Sequence, residues 1–280
     1  MKSSQKNILI TGCDSGIGRA LALEFHKRGL QVYATGLQAS ALQELEALGV
    51  KTQLLDVTKK EQIEVLQNRL KSENVDVNIL INNAGYGAMG PTIEMPIEDV
   101  KAQFDVNVLG LLQVTQAIGK DMLEKRQGMI VNIGSTSGVM ASPFAGVYCA
   151  TKFAVHALTD ALRMEMQPFG VHVMRVEPNM IRSGFGNTAA QGLKARFSPQ
   201  SAYLKVQEAA IARAMGSQTD DAMPAEEFAA KLADGVLSKN PPIRMRIGKQ
   251  LMVYTLFKPF LPSKNIDRIL QKIYKLNLLK

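Results

Sequence analysis

Short runs of β-branched and aliphatic residues alternate along this chain with stretches whose apolar positions recur at helical spacing. The pattern predicts strands over 7–11, 31–35, 51–55, 78–82, 128–134, 171–176 and 243–247. It predicts helices from a glycine-rich turn through residue 28, then over 40–48, 59–72, 97–125 and 147–167. Gly29 closes the first of these in the usual C-terminal manner. Strands alternating with helices call for an α/β fold, a doubly wound parallel sheet of about seven strands with right-handed crossovers and helices on both faces. Ligands bind such sheets where the strand order reverses. At 280 residues one such domain is expected over 1–248, with a substrate lid over about 182–216. Residues 249–280 form an extension.

Composition changes this picture little. The chain is 46% hydrophobic and 21% charged, ordinary for a globular protein. The start, MKSSQKNILIT, lacks the apolar stretch of a signal peptide, and the longest apolar runs, such as 251–257, are too short to span a membrane. Cys13 and Cys149 have no metal-like or disulfide-framework spacing, nor do His26, His156 and His172 suggest ligands. No metal is expected, and a cytoplasmic, reducing location is.

Charge is concentrated at one end. Lys249, Lys258, Lys264, Arg268, Lys272, Lys275 and Lys280 against Asp267 place six of the eight net positive charges after residue 248. A nucleic-acid binder would build its basic surface into the fold, so no nucleic-acid partner is expected.

The chemistry-bearing motifs begin at the first strand–helix junction with Thr11-Gly12-Cys13-Asp14-Ser15-Gly16-Ile17-Gly18. Glycines there permit a tight turn, close approach to a pyrophosphate and tight helix packing, and the helix N-terminus offers N–H groups to phosphate. Further along stand Asp56-Val57, Asn82-Asn83-Ala84-Gly85, Asn107 followed by Gly110, Ser135, and Tyr148 with Lys152. In this order and spacing, over roughly residues 7–185, the chain resembles the compact short-chain dehydrogenases/reductases, whose signature is TGxxxGxG with YxxxK. The turn itself is similar to that of the retinol and hydroxysteroid dehydrogenase branch.

The resemblance implies a Rossmann-like domain that transfers a hydride between nicotinamide and an alcohol or ketone carbon. It implies dinucleotide contacts from Gly12, Asp14, Ser15, Gly16, Ile17, Gly18, Asp56, Val57, Asn83, Ala84, Gly85, Tyr148, Lys152 and Pro178. Tyr148 would be general acid/base, Ser135 would hold the substrate oxygen, Lys152 the nicotinamide ribose, and Asn107 a water linking the lysine to solvent. Tyr148 and Lys152, at i and i+4, share a helix face. A free tyrosine titrates near 10; an ammonium beside it, with the positive oxidised nicotinamide, is expected to bring it towards neutrality, which takes roughly 4 kcal/mol. The cysteines are read as packing. One departure stands out: where the family usually has Pro-Gly after the sixth strand, this chain has Glu177-Pro178-Asn179, and Asn179 is expected to take the left-handed turn.

NAD(H) is favoured over NADP(H). The second strand ends without a cation for a 2′-phosphate, and Asp14 stands where it would repel one. Phe185, Leu193, Phe197, Tyr203 and Leu204 in the lid suit a small hydrophobic substrate such as a steroid, retinoid or acyl lipid. Beyond residue 248, Ile266, Ile269, Leu270, Ile273 and Leu276 recur at helical spacing opposite basic residues, with Phe257, Phe260 and Leu261 just before. Such a helix can dock on its own domain, which ranks first, pack on a partner subunit, or lie on an anionic membrane surface. By analogy a homodimer through 97–125 and 147–167 is expected, with a tetramer as the alternative. Two other readings compete: a non-catalytic sensor of the NAD(P)(H) pool on the same fold, and a nucleotide-sugar epimerase or dehydratase, which spacing and length disfavour.

Overall fold

The computed structural model describes residues 6–248 and 262–279. Expectations for 249–261, including Lys249, Lys258, Phe257, Phe260 and Leu261, lie outside the described residues, as does Lys280. Seven strands, β1 Asn7–Ile10, β2 Gln31–Gly36, β3 Lys51–Leu54, β4 Val77–Asn82, β5 Gly128–Ile133, β6 Val171–Asn179 and β7 Arg244–Gly248, form one sheet in the order β3-β2-β1-β4-β5-β6-β7. Every pairing is parallel. The order reverses between β1 and β4, which opens a crevice at the carboxyl ends of the strands.

The strand alternation sorts side chains to two faces. Ile8, Ile10, Val32, Ile81 and Val131 pack against Leu21 and Phe25 of α1 (Gly16–Lys27) and Phe228 and Leu232 of a helix at Ala225–Val236. On the other face Leu9, Leu80 and Ile130 meet Leu66 and Leu70 of α3 (Lys60–Ser72) and Val114 and Ile118 of α5 (Leu111–Lys125). The remaining helices are α2 Ala39–Ala47, α4 Ile97–Phe104, α6 Gly146–Met166, α7 Phe185–Arg196, α8 Gln207–Ala214 and α10 Ser263–Ile273, the helix at Ala225–Val236 being α9.

Two local differences from the sequence reading bear on function. The single helix expected over 97–125 is interrupted by a π-turn at Asp105–Gly110, which carries Asn107. The widened turn accommodates close packing: a Cβ on Gly110 would lie 2.6 Å from Val57 Cγ2. Asn179 does not take the left-handed turn; β6 runs through it, and Met180 has φ 50 instead. Asn179 Oδ1 accepts a hydrogen bond from Thr136 Oγ1 at 3.1 Å, which keeps it in the strand. A third element, α9, was not foreseen.

Candidate active site

The first βα turn is shaped by contacts that only glycine allows. Gly12 and Gly16 have φ 71 and 54. A Cβ on Gly18 would stand 2.0 Å from the Gly12 carbonyl oxygen, and one on Gly12 2.8 Å from Ala84 Cα. Thr11, which opens the motif but is not among the expected dinucleotide contacts, and Asn83 clamp the turn. Asn83 Nδ2 donates to the carbonyls of Thr11 and Gly12, both at 2.9 Å, and Thr11 Oγ1 accepts from the N–H groups of Asn83 and Ala84, both at 3.0 Å. Asn83 thus borders the cleft while its amide holds the turn. Behind it, Asn82 Nδ2 donates to Thr115 Oγ1 (2.8 Å) and Asn132 Oδ1 (2.9 Å), a buried network that locks β4 to β5.

The first turn of α1 carries no acid, and Ser15 at its N-cap makes no side-chain cap bond. Its N–H groups are therefore available to an anion in the cleft that Ser15, Gly16, Ile17 and Gly18 line. Asp14 lies at the β2 end of that cleft. Its carboxylate accepts from the N–H groups of Leu37 (3.0 Å) and Gln38 (2.7 Å), and a Cβ on Gly36 would lie 2.4 Å from Asp14 Oδ1. Asp56 Oδ1 accepts from Thr58 N–H (2.9 Å) and Oγ1 (2.7 Å), which turns the chain after β3 and sets Val57 along the wall.

The opposite end carries Ser135, Tyr148 and Lys152, all buried. Ser135 follows β5, and its Oγ accepts from Ser137 N–H at 3.0 Å. Tyr148 and Lys152 lie on α6, with Lys152 Nζ 5.9 Å from the Tyr148 ring centroid. Nζ donates to the Ile133 carbonyl at 2.9 Å. Burial pushes the Tyr148 phenol up to about 12, against the hydrogen bond from Ser135 and the positive field of Arg213. Burial likewise pushes Lys152 down to about 8. Desolvation thus outweighs the Ser135 hydrogen bond and the Arg213 charge, whereas the lowering expected from Lys152 together with the oxidised nicotinamide concerns the cofactor-loaded site. At neutral pH the phenol therefore keeps its proton.

Asn107 is the one expected site residue that does not line the cleft. Its Oδ1 accepts from Tyr86 N–H (3.0 Å) and its Nδ2 donates to the Tyr86 carbonyl (2.9 Å) and Thr151 Oγ1 (3.1 Å). These three bonds fix the loop after Gly85 onto α6 and leave one acceptor site on Oδ1. His156, one turn beyond Lys152, supports the site from below: Ser135 N–H donates to its Nε2 at 3.4 Å, and a Cβ on Gly134 would meet that nitrogen at 2.3 Å. Burial, with Arg175 nearby, lowers His156 to about 4, so its ring is neutral. The i, i+4, i+8 spacing of Tyr148, Lys152 and His156 was the signal for it.

These residues bound one cleft of about 1120 Å³ that runs from Leu37 and Asp56, past the glycine turn, to Tyr148. An open N-terminal anion site in its middle, a carboxylate and apolar walls at one end and a buried Tyr–Lys pair at the other fit a nicotinamide dinucleotide. A model of the short chain dehydrogenases matches residues 6–194.

The chain is a short-chain dehydrogenase.

Among this dehydrogenase's relatives, mouse retinol dehydrogenase 5 is 31% identical over 96% of this chain and 89% of that protein. A fission-yeast NADPH-dependent 1-acyldihydroxyacetone phosphate reductase is 39% identical, over 62% of this chain and 59% of its own length. A 3-ketodihydrosphingosine reductase of Bacteroides thetaiotaomicron is 30% identical over 95% of this chain and 97% of that protein. Among solved structures, a short-chain dehydrogenase from Streptomyces avermitilis superposes with a TM-score of 0.76 at 26% identity, over 99% of this chain and 98% of that one. The dehydrogenase thus shares its fold and nicotinamide-dependent oxidoreductase chemistry with these proteins.

Over the dehydrogenase's reactive end, Phe185 stacks at a tilt on Tyr148 with ring centroids 5.3 Å apart. Leu193, Phe197 and Tyr203 pack with Met89 and Phe144 beneath the lid, while Leu204 is exposed. Side-chain links hold the lid down, among them Arg196–Asp99 (2.6 Å), Ser201 with Ala202 on Glu94, and Arg213 on Ser142 and Ser137. The C-terminal segment closes the far side. Tyr274 meets Phe144 edge-on at 6.3 Å, Leu276 and Leu279 join the same cluster, and Leu270, Ile273 and Tyr274 line the cleft. Cys13 and Cys149 are both free and buried, and burial pushes the Cys13 thiol well up. No helix among the described residues is long and apolar enough to cross a membrane.

Proposed function

We propose that the enzyme is an NAD-dependent oxidoreductase acting at the alcohol or ketone carbon of a lipid-like substrate, with Tyr148 as general acid/base. The observation that carries this reading is a buried, protonated tyrosine beside Ser135 at the end of a dinucleotide-shaped cleft whose walls there are apolar. Bound there, the dinucleotide supplies the hydride donor or acceptor and, when oxidised, a positive charge near the phenol. Ser135 Oγ holds the substrate oxygen. In reduction Tyr148 donates its phenolic proton to that oxygen; in oxidation the phenolate accepts it. Lys152, anchored on the Ile133 carbonyl, holds the ribose and replenishes the proton through water seated on backbone of the π-turn.

NAD is preferred because the cations that line the cleft, Lys152, Arg213 and Lys275, belong to its reactive end, and Asp14 occupies the end where a 2′-phosphate would lie. Relatives named for retinol, acyldihydroxyacetone phosphate and ketodihydrosphingosine support a long apolar substrate. Exposed Leu109 and Phe153 on the π-turn and α6 are offered as part of a homodimer face, and light scattering would then give twice the 30.6 kDa chain mass. A cytoplasmic location with peripheral contact of α10 at anionic membranes completes the proposal. Co-sedimentation with anionic but not neutral vesicles is its test.

The test of the activity is absorbance at 340 nm with NAD(H) and NADP(H) over a panel of retinoids, steroids, long-chain keto-lipids and 1-palmitoyl-dihydroxyacetone phosphate. Turnover with at least one lipid-like substrate, faster with NAD(H), is expected. Dinucleotide binding without turnover on any of them would instead support the sensor reading.

A further inference from the structure

Hydride transfer makes no use of Arg213, although its side chain enters the reactive end of the cleft from α8. Its Nε donates to Ser142 Oγ at 3.0 Å and its Nη2 to Ser137 Oγ at 3.3 Å. Ser137 N–H in turn donates to Ser135 Oγ, so the guanidinium stands two hydrogen bonds from the serine beside Tyr148. Both of its partners are neutral hydroxyls. Among the described residues Arg213 has no carboxylate in ion-pair contact, whereas Arg196, on the neighbouring lid helix, pairs with Asp99 at 2.6 Å. Glu208, on the same helix, also borders the cleft and forms no pair with it.

The surroundings make that isolation consequential. Met89, Met140, Phe185, Ala209, Leu270 and Ile273 line the same end. A half-buried guanidinium among apolar side chains is poorly solvated and gains most from an anion that brings the missing charge. Its planar fork, two of whose nitrogens are already fixed by serines, matches the paired oxygens of a phosphate or carboxylate.

We propose that Arg213 anchors an anionic oxygen group of the substrate, a phosphate or a carboxylate close to the reacting carbon, while the substrate's hydrocarbon chain lies under α7, α8 and the C-terminal segment. This rests on the oxidoreductase reading and narrows it from apolar lipids to anionic amphiphiles. Arg213 is thereby a specificity-determining residue. Its ties to Ser137 and Ser142 keep the fork in place when the site is empty.

The test separates this anchor from a mere latch for the lid. Protein saturated with NAD, so that the glycine turn is filled, is titrated calorimetrically with octyl phosphate, octanoate and octanol. The wild type is expected to bind at least one anion about tenfold more tightly than octanol. Arg213→Leu should erase that advantage, and Arg213→Lys should restore part of it. An advantage for only one of the two anions names the head group. An equal advantage in wild type and Arg213→Leu, or none in the wild type, overturns the proposal, as does loss of octanol and anion binding in equal proportion. NAD binding is measured first in each titration. Its absence in the wild type would count against the oxidoreductase reading, whereas a filled NAD site without an anion advantage counts only against Arg213.

Discussion

The two ends of the cleft are built by different means. At the dinucleotide end, backbone is the contact surface: Gly18 meets the Gly12 carbonyl, Gly12 meets Ala84, and the Asn83 and Thr11 side chains bond main-chain groups across the gap. At the substrate end, side chains meet side chains, with Phe185 on Tyr148 and Tyr274 on Phe144, under helices held by a few polar links. Backbone contacts of the first kind admit almost no substitution, so they impose a motif. Packing of the second kind can be met by many sequences and adapts to the ligand it covers. The same contrast makes the first end a rigid receptor and leaves specificity to the second.

Substitutions at the two ends should accordingly differ in kind. The largest effect is expected from Gly18→Ala, whose Cβ would stand 2.0 Å from the Gly12 carbonyl oxygen. It should cost about 3 kcal/mol of stability, measured by urea unfolding, and abolish tight dinucleotide binding. An unchanged midpoint would show that the turn is softer than its contacts imply.

Next comes the acid limb of stability. His156 is lowered in the fold to about 4 from an ordinary 6.5, so the unfolded chain binds its proton first and stability drains away as pH falls through this interval. By pH 5 the loss should reach about 2 kcal/mol, and His156→Phe should flatten that slope in thermal melts taken between pH 7 and 4.5.

Smaller still is the expected effect of Asp14→Ser on cofactor choice. Removing the carboxylate should narrow the NAD over NADP preference about tenfold, read from the two dissociation constants. A preference that stays put would shift the discrimination to another residue. Least of all, Tyr274→Ala should raise KM about fivefold through loss of one aromatic contact, with kcat and melting temperature little changed. A fall in melting temperature instead would make the C-terminal segment a structural brace.

Legibility from sequence follows the same division. The strands β1 to β5, the glycine turn and the Tyr148–Lys152 pair could be read because alternating apolar runs, obligatory glycines and i, i+4 spacing each leave a local mark. The π-turn could not, since a single such turn at Asp105–Gly110 is too short to displace the apolar pattern of the helices on either side of it. The left-handed residue proved to be Met180, which no propensity favours; the Thr136–Asn179 hydrogen bond and the bridge between Ile181 and Met223 fix it from a distance. α9 did carry a readable signal in Phe228, Leu232 and Val236. The depth at which Tyr148 is buried was beyond reach, because it depends on the lid that folds over it. Arg213 gave no signal at all, being one basic residue among many until its neighbours are known.

The central claim is that Tyr148 exchanges a proton with a substrate beside a dinucleotide held by the first end of the cleft. Comparison of wild type with Tyr148→Phe on the best substrate of the panel, by 340 nm turnover and by NAD dissociation constant on the same preparations, tests it most directly. A fall in kcat of at least about 100-fold with NAD affinity changed less than about threefold is the expected result. A variant that turns over as the wild type does would contradict the account.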